Sequence, residues 1–182
     1  DRYPIEEKDP IIMISFYSED YKKVITYKKL ITDKDYIEFV DSEYDLLLKF
    51  IETIEKINPD YIMGYFSDGY DFPYLKARFR KNNLKFNIDN FPVKIVKRGQ
   101  TATSKIKSLP HLDIFKFIKT IMAESLKFES YSLDIVAKEL LKEAKIDFDL
   151  TKLEGELDHT KDLEVFCEYN LKDAELVFKL AN

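Results

Sequence analysis

Two aspartates and a tyrosine stand where their polar groups are out of keeping with their surroundings. In the last helical stretch, Phe166, Tyr169, Asp173, Leu176, Val177 and Leu180 recur at steps of three and four residues. Asp173 therefore falls on a stripe that otherwise faces a core, with Tyr169 one turn before it. An ionised carboxylate there is costly unless it is paired or binds a cation. A buried salt bridge with a lysine, or a helix rotated enough to expose the group, would equally satisfy it. Asp71 is the second candidate. It lies in GYFSDGYDFPYL, where an apolar run gives way to a helix starting near Pro73. Asp two residues before Pro is a sensible N-cap. The same place is a strand's carboxyl end meeting a helix, the usual position of a site in an open α/β sheet. Two such carboxylates could hold Mg²⁺ or Mn²⁺, hard cations that prefer oxygen ligands. A pair of these ions about 4 Å apart stabilises both the attacking and the leaving oxygen of phosphodiester hydrolysis.

The elements that must position these groups alternate in type. Ile11 to Tyr17 and Lys23 to Lys28 read as strands joined by a short polar turn, and Tyr36 to Val40 as a third. From Ser42 the pattern turns helical, with Leu46, Leu47, Phe50, Ile51 and Ile54 on one face. Ser42 is its N-cap, with Asp45 a weak capping-box partner. Asn58-Pro59-Asp60 ends that helix, and Tyr61 to Phe66 is another strand. A helix to about Arg80 follows. Phe91 to Lys107 is a second hairpin, VKIV then TSKIK, turning around Arg98-Gly99-Gln100, and a short strand includes Leu112 and Ile114. Helices are expected near Phe115 to Met122, Ser132 to Lys142 and Asp162 to Leu180. The acidic stretch from Lys152 to Thr160 carries no signal. The sum is an α/β chain, a mixed sheet with helices packed over it.

Composition is that of a soluble globular domain: 182 residues, 45% hydrophobic and 35% charged. No apolar run approaches the ~20 residues that span a bilayer, which excludes a membrane partner, and no signal pattern opens the chain, so a cytoplasmic location is expected. The single cysteine, Cys167, excludes an internal disulfide and, with two distant histidines, argues against a zinc cluster. The lysine-rich composition leans toward a thermophile or an AT-rich genome. A net charge of −5 argues against bulk attraction to nucleic acid, but its distribution does not. Lys76 to Lys107 holds ten basic residues and one acidic one, a local +9 that leaves −14 elsewhere. A patch so segregated fits phosphate contact on one face, or a solvated lysine-rich surface.

These stretches together resemble the 3′→5′ exonuclease domain of family B DNA polymerases, a ribonuclease H-like fold of the DEDD class with a tyrosine in its last motif. EKDPIIMISF is similar to the family's second strand. INPDYIMGYFSDGYDFPYLKARF resembles the second exonuclease motif, HLDIFKFI the strand and helix after the family's hairpin, SYSLDIVAKELL a common helix, and YNLKDAELVFKL the Tyr-x-x-x-Asp of the third motif. The resemblance implies a ribonuclease H-like mixed β-sheet flanked by helices with an inserted β-hairpin, over residues 1–182 as one domain of a larger archaeal-type polymerase. It implies metal ligation by Asp71 and Asp173, and a Tyr169 hydroxyl that orients the attacking water. The basic hairpin, with Lys94, Lys97, Arg98, Lys105 and Lys107, would lie along DNA. Tyr65 and Phe66 would meet an unpaired base at a single-stranded 3′ end. Asp68 aligns with a variable position and reads as an ordinary loop residue.

Two departures qualify that picture. The family's Asp-x-Glu first motif has no match; near the expected place stand Asp1 and Tyr3. The expectation is a chain that starts downstream of that strand, the alternative a lost motif. In the second motif, Phe66 replaces the Asn of Gly-Tyr-Asn; its ring could stack on a base but cannot make the amide's hydrogen bonds. Two of four acidic positions being present, the two-metal site is incomplete, and the expected function is a proofreading exonuclease domain with little or no activity in this chain. The alternatives are a decayed structural and DNA-binding module of a polymerase, or a free-standing exonuclease of the same fold.

Overall fold

The computed structural model describes residues 4–99, 101–122, 124–146 and 160–182. The chain opens with an antiparallel pair, β1 (Met13–Tyr17) and β2 (Lys22–Thr26), in register from Met13 opposite Thr26 to Tyr17 opposite Lys22. The Ser18 N–H donates to the Tyr21 carbonyl at 2.7 Å and closes the turn. β3 (Ile37–Phe39) then joins β2 in parallel, so this three-stranded sheet is mixed. β2 is its central strand, and Val24, Ile25 and Thr26 are fully buried. That is why VIT reads as a continuous buried run rather than an alternating one.

The helix α1 (Glu43–Ile57) begins and ends where its sequence dictates. Ser42 is the N-cap and accepts from the Asp45 N–H at 3.2 Å. Asn58 takes a left-handed conformation (φ 47°) and donates its N–H to the Ile54 carbonyl, a conformation Asn tolerates. The buried face of α1, Leu47, Phe50 and Ile54, packs on Phe72, Leu75 and Phe79 of α2 (Asp71–Lys81) and on Phe86. Phe79 and Phe86 stack with centroids 4.5 Å apart. This is the main core. At its edge the buried Arg78 guanidinium forks onto both Glu43 oxygens, at 2.7 and 2.6 Å.

β4 (Ile62–Gly64) pairs in parallel with β9 (His111–Asp113), and everything between them is an excursion from that pair. After α2 come β5 (Asn87–Ile88) and β6 (Phe91–Pro92), a miniature hairpin. The sequence reading passed over it, although Asp89 and Asn90 both adopt positive φ (49° and 65°), the conformation two-residue hairpin turns demand. Then follow β7 (Lys94–Arg98) and β8 (Thr101–Lys105), turning at Gly99 (φ 60°). Gln100 of the expected turn lies outside the described residues.

The last part is helical: α3 (Ile114–Phe117) running into a π-helical turn (Ile118–Met122), α4 (Leu133–Leu140) capped by Ser132, and α5 (Thr160–Ala181). α5 joins two cores. Its Cys167 packs with Met13, Val24 and Ile37. Its Leu176 and Val177 pack with Ile114, Ile118, Val136 and Ala137, and with Met63 and Tyr65 around β4.

The mixed α/β layering is as expected, and the strands among the described residues are divided among four small sheets. Most ends are shorter than the periodicity suggested. The strand expected over Tyr61 to Phe66 stops at Gly64, because Phe66 is left-handed (φ 58°). Ile114 starts a helix instead of ending a strand. The stretch from Lys152 to 159 lies outside the described residues, as do Asp1 and Tyr3. Among the described residues no helix is long and apolar enough to cross a membrane.

Candidate active site

The turn after β4 is built on close approach. A Cβ at Gly64 would stand 2.5 Å from Ser67 Cβ, so only glycine lets the turn fold back. Phe66 holds a positive φ that costs a bulky residue and suits Asn. Its ring lies over Gly69, meets Phe115 edge-on at 5.2 Å, and remains about half exposed (49%). The buried Asp113 carboxylate gathers the turn, accepting the N–H of Phe66 (3.1 Å) and of Asp68 (3.0 Å), while capping α3 through the Lys116 N–H (3.2 Å). Tyr65 turns the other way. It donates its hydroxyl to the Tyr131 carbonyl at 2.7 Å and packs on Phe115, which makes it a support for Phe66.

Asp71 does not cap α2. The cap position is Tyr70, which supplies no side-chain hydrogen bond, and Asp71 is the first helical residue with an exposed surface. Protein crowding around its carboxyl pushes its pKa up to about 6, partly opposed by its own N–H and reinforced by the nearby Asp113 charge. Water at the open face tempers that shift. Asp113 is thus a second carboxylate beside Asp71 that sequence reasoning missed. Its signal was there, an aspartate ending a strand and preceding a helix in HLDIFKFI.

On α5 Leu176 and Val177 of the expected stripe are buried, and so are Leu163 and Cys167 beside it, so the inward face is broader than the expected stripe. Tyr169 and Asp173 sit at its margin. The lysine-paired alternative for Asp173 is the one realised: Lys145 Nζ lies 2.7 Å from Asp173 Oδ2 and 3.4 Å from the Tyr169 hydroxyl. Burial still pushes Asp173 upward, more than Lys145 pulls it down, while Lys145 is held charged because its carboxylate partner outweighs its own burial. The other oxygen, Asp173 Oδ1, is buried without a hydrogen-bond partner, as is Asn170 Oδ1 one turn earlier. Nothing in the local pattern of the sequence marked Lys145 as the partner. Asp71 and Asp173 share no hydrogen bond.

Oxygen acceptors left without partners suit a hard cation in kind. In number they fall short: among the described residues no three His, Cys, Asp or Glu side chains gather to hold a metal. The described residues by themselves do not complete a metal site.

Asp68 is the largest correction. Far from an ordinary loop residue, it is buried (5% exposed) and accepts from the Ser104 N–H at 2.5 Å and from Lys116 Nζ at 2.7 Å, with His111 Nδ1 3.4 Å away. These donors outweigh the burial penalty and lower its pKa, whereas burial lowers that of His111 and favours the neutral ring. Ser67 Oγ lies 2.9 Å from His111 Nε2, completing an Asp–His–Ser chain. All three side chains are buried, so no substrate reaches the hydroxyl and the chain is structural. On the hairpin, Lys94, Lys97, Arg98 and Lys105 are exposed, with Lys94 directly opposite Lys105. Lys107 sits 4.4 Å over the Phe91 ring.

The family described as "DNA polymerase family B, exonuclease domain" matches residues 2–136. This chain belongs to that family. Beyond residue 136, likeness to individual family B polymerases carries the comparison across α5. The chain is 34% identical to a DNA polymerase of Methanocaldococcus jannaschii, over 99% of its own length and 10% of the relative's. It is 31% identical to DNA polymerase 1 of Pyrococcus abyssi, over 95% of its length and 22% of that relative's. A Pyrococcus horikoshii DNA polymerase shows the same identity, with 14% of its length covered. The exonuclease-family chain therefore spans between a tenth and a quarter of the curated relatives it matches.

Proposed function

We propose that the chain is the 3′→5′ exonuclease module of a longer family B DNA polymerase, a single domain that takes single-stranded 3′ ends, and that by itself it hydrolyses phosphodiesters weakly or not at all. The observation that carries this is the state of Asp173: one oxygen neutralised by Lys145, the other buried with no partner, beside the Tyr169 hydroxyl. A buried acceptor without a hydrogen bond is costly and would gain from a cation or donor brought to it, and the family places nuclease chemistry in this domain. In this reading the Phe66 ring meets the unpaired terminal base, and Lys94, Lys97, Arg98, Lys105 and Lys107 hold phosphates along the hairpin. Tyr169 orients water at the scissile phosphate, with Lys145 offsetting charge that develops there. Divalent Mg²⁺ or Mn²⁺ would supply Lewis-acid activation once further carboxylates completed the set. The neighbouring polymerase domains of the parent chain would be its standing partners, in the cytoplasm.

A second reading, a structural and DNA-binding module whose proofreading has decayed, is favoured by the lysine already seated on Asp173 and by the short ligand set among the described residues. One experiment addresses both. The chain and its full-length parent are incubated with 5′-labelled single-stranded DNA and Mn²⁺. Little trimming by the chain and clear trimming by the parent, lost in Asp173→Ala, supports the first reading; silence from both supports the second. Efficient trimming by the chain alone, abolished by Asp173→Ala, overturns the expectation of weak activity.

A further inference from the structure

The β7–β8 hairpin has few ties to the body of the domain. Val93, Ile95 and Ile106 pack on the main core at its root, where the Val93 N–H donates to the Phe86 carbonyl at 2.9 Å. Farther along, most polar ties among the described residues converge on Asp68 and Lys116, with His111 of β9 adding a hydrogen bond to the Ser104 backbone. Asp68, from the turn between β4 and α2, accepts the Ser104 N–H of β8. Lys116, from α3, donates to Asp68 at 2.7 Å, to the Ala102 carbonyl at 2.7 Å and to Thr103 Oγ1 at 3.3 Å. The backbone N–H of Asp68 is in turn fixed by Asp113, which also holds the Phe66 N–H. One continuous set of charge-assisted hydrogen bonds therefore runs from the middle of the hairpin to the turn that carries Phe66 and Asp71.

We propose that Asp68 and Lys116 form a latch that sets the distance between the basic hairpin and the Phe66–Asp71 turn, so that nucleic acid held on the hairpin meets the turn in one register. They are positioning residues. Neither touches the strand, and Asp68 is sealed from it. A hairpin hinged only at its root would sample many distances, and contacts at its tip and at Phe66 would seldom engage one strand together. A latched hairpin makes the second contact effectively intramolecular. The inference rests on reading the hairpin as a nucleic-acid surface.

The test uses paired spin labels on Thr101→Cys, in β8 beside the hairpin tip, and Lys76→Cys, on the exposed face of α2. Cys167 needs no replacement, since it is buried with its thiol pushed up to about 12. The latched protein gives one narrow distance distribution, and both Asp68→Asn and Lys116→Met broaden it. The same variants are titrated with an oligodeoxythymidine. Asp68→Asn removes a negative charge and Lys116→Met a positive one, so simple electrostatics moves their affinities in opposite directions. The latch moves both downward, on the order of tenfold. Should Asp68→Asn fail to fold, Lys116→Met, whose side chain is a third exposed (35%), still reads the latch. Unchanged distances, or affinities that follow the sign of the charge, overturn it. An unmodified chain that fails to bind the oligonucleotide while its distances respond overturns instead the reading of the hairpin as a nucleic-acid surface.

Discussion

Lys145 Nζ lies 2.7 Å from Asp173 Oδ2, and both side chains are mostly buried, at 20% and 26% exposure. Removing the lysine strands a carboxylate that burial already disfavours. Lys145→Met should therefore cost about 1–3 kcal/mol in urea unfolding near neutral pH. Adding Asp173→Asn should recover most of that loss, because the pair then disappears together. Equal and additive losses from the two changes would show that the contact does not couple them.

Asp71 gives a pH signature of opposite sign to an ordinary ion pair. Its folded pKa is raised from 3.8 to about 6, so between those values the folded state holds a proton that the unfolded state has released. Stability contributed by that proton is present below pH 3.8 and is lost as pH rises through about 6. Asp71→Asn should raise the Tm at pH 7.5 and flatten the slope of Tm against pH over that window. A slope unchanged by the substitution would assign it to another group.

Glu43 titrates the other way. Burial would raise its pKa, but hydrogen bonds from Arg78, Asn82 and the Ile11 N–H lower it. Its contribution is thus present above the unfolded value of 4.5 and fades as pH falls through the lower folded value. With side chains only 6% and 11% exposed in the Arg78–Glu43 pair, Glu43→Gln should cost about 2–4 kcal/mol at pH 7 and less at pH 3. Chemical denaturation at the two pH values measures the difference.

Phe66→Asn tests the residue that sets this sequence apart from the family motif. The change relieves a positive φ that costs Phe about 1 kcal/mol and gives up the edge contact with Phe115, so net stability should move by less than about 1 kcal/mol. Oligonucleotide affinity should fall by about 1–3 kcal/mol if the exposed ring stacks on a base. Fluorescence anisotropy with an oligodeoxythymidine reads the second effect, and a urea titration the first.

What the sequence disclosed and what it hid divide by range. Ser42 and Asn58 bound α1 as read, because capping chemistry acts within four residues. The hairpin around Gly99 and the Tyr169–Asp173 pairing on one helix were legible for the same reason. The Asp68 hub, by contrast, is assembled from Ser104, His111 and Lys116, and Lys145 reaches Asp173 across a long separation. Such contacts leave no periodicity, since tertiary packing alone brings the partners together. Asp68 read as loop because it aligns with a variable family position, between the turn residues Ser67 and Gly69. The burial of Leu163 and Cys167 on α5 went unread because they form an equally good apolar stripe beside the chosen one.

The parallel pairing of β4 with β9 carries a consequence for how the domain assembles. Those strands meet only after the chain from Tyr65 to Pro110 has doubled back, whereas each of the two hairpins between them pairs residues close in sequence. Loop closure that spans so much chain is slow and late. The Gly64–Asp113 junction, where Phe66, Asp68 and Asp113 converge, should be among the last parts to form and the first to open. Amide exchange at the Phe66 and Asp68 N–H groups would then report a sub-global opening faster than that of the α1–α2 core. Local unfolding would begin at the very place where the domain is proposed to receive its strand.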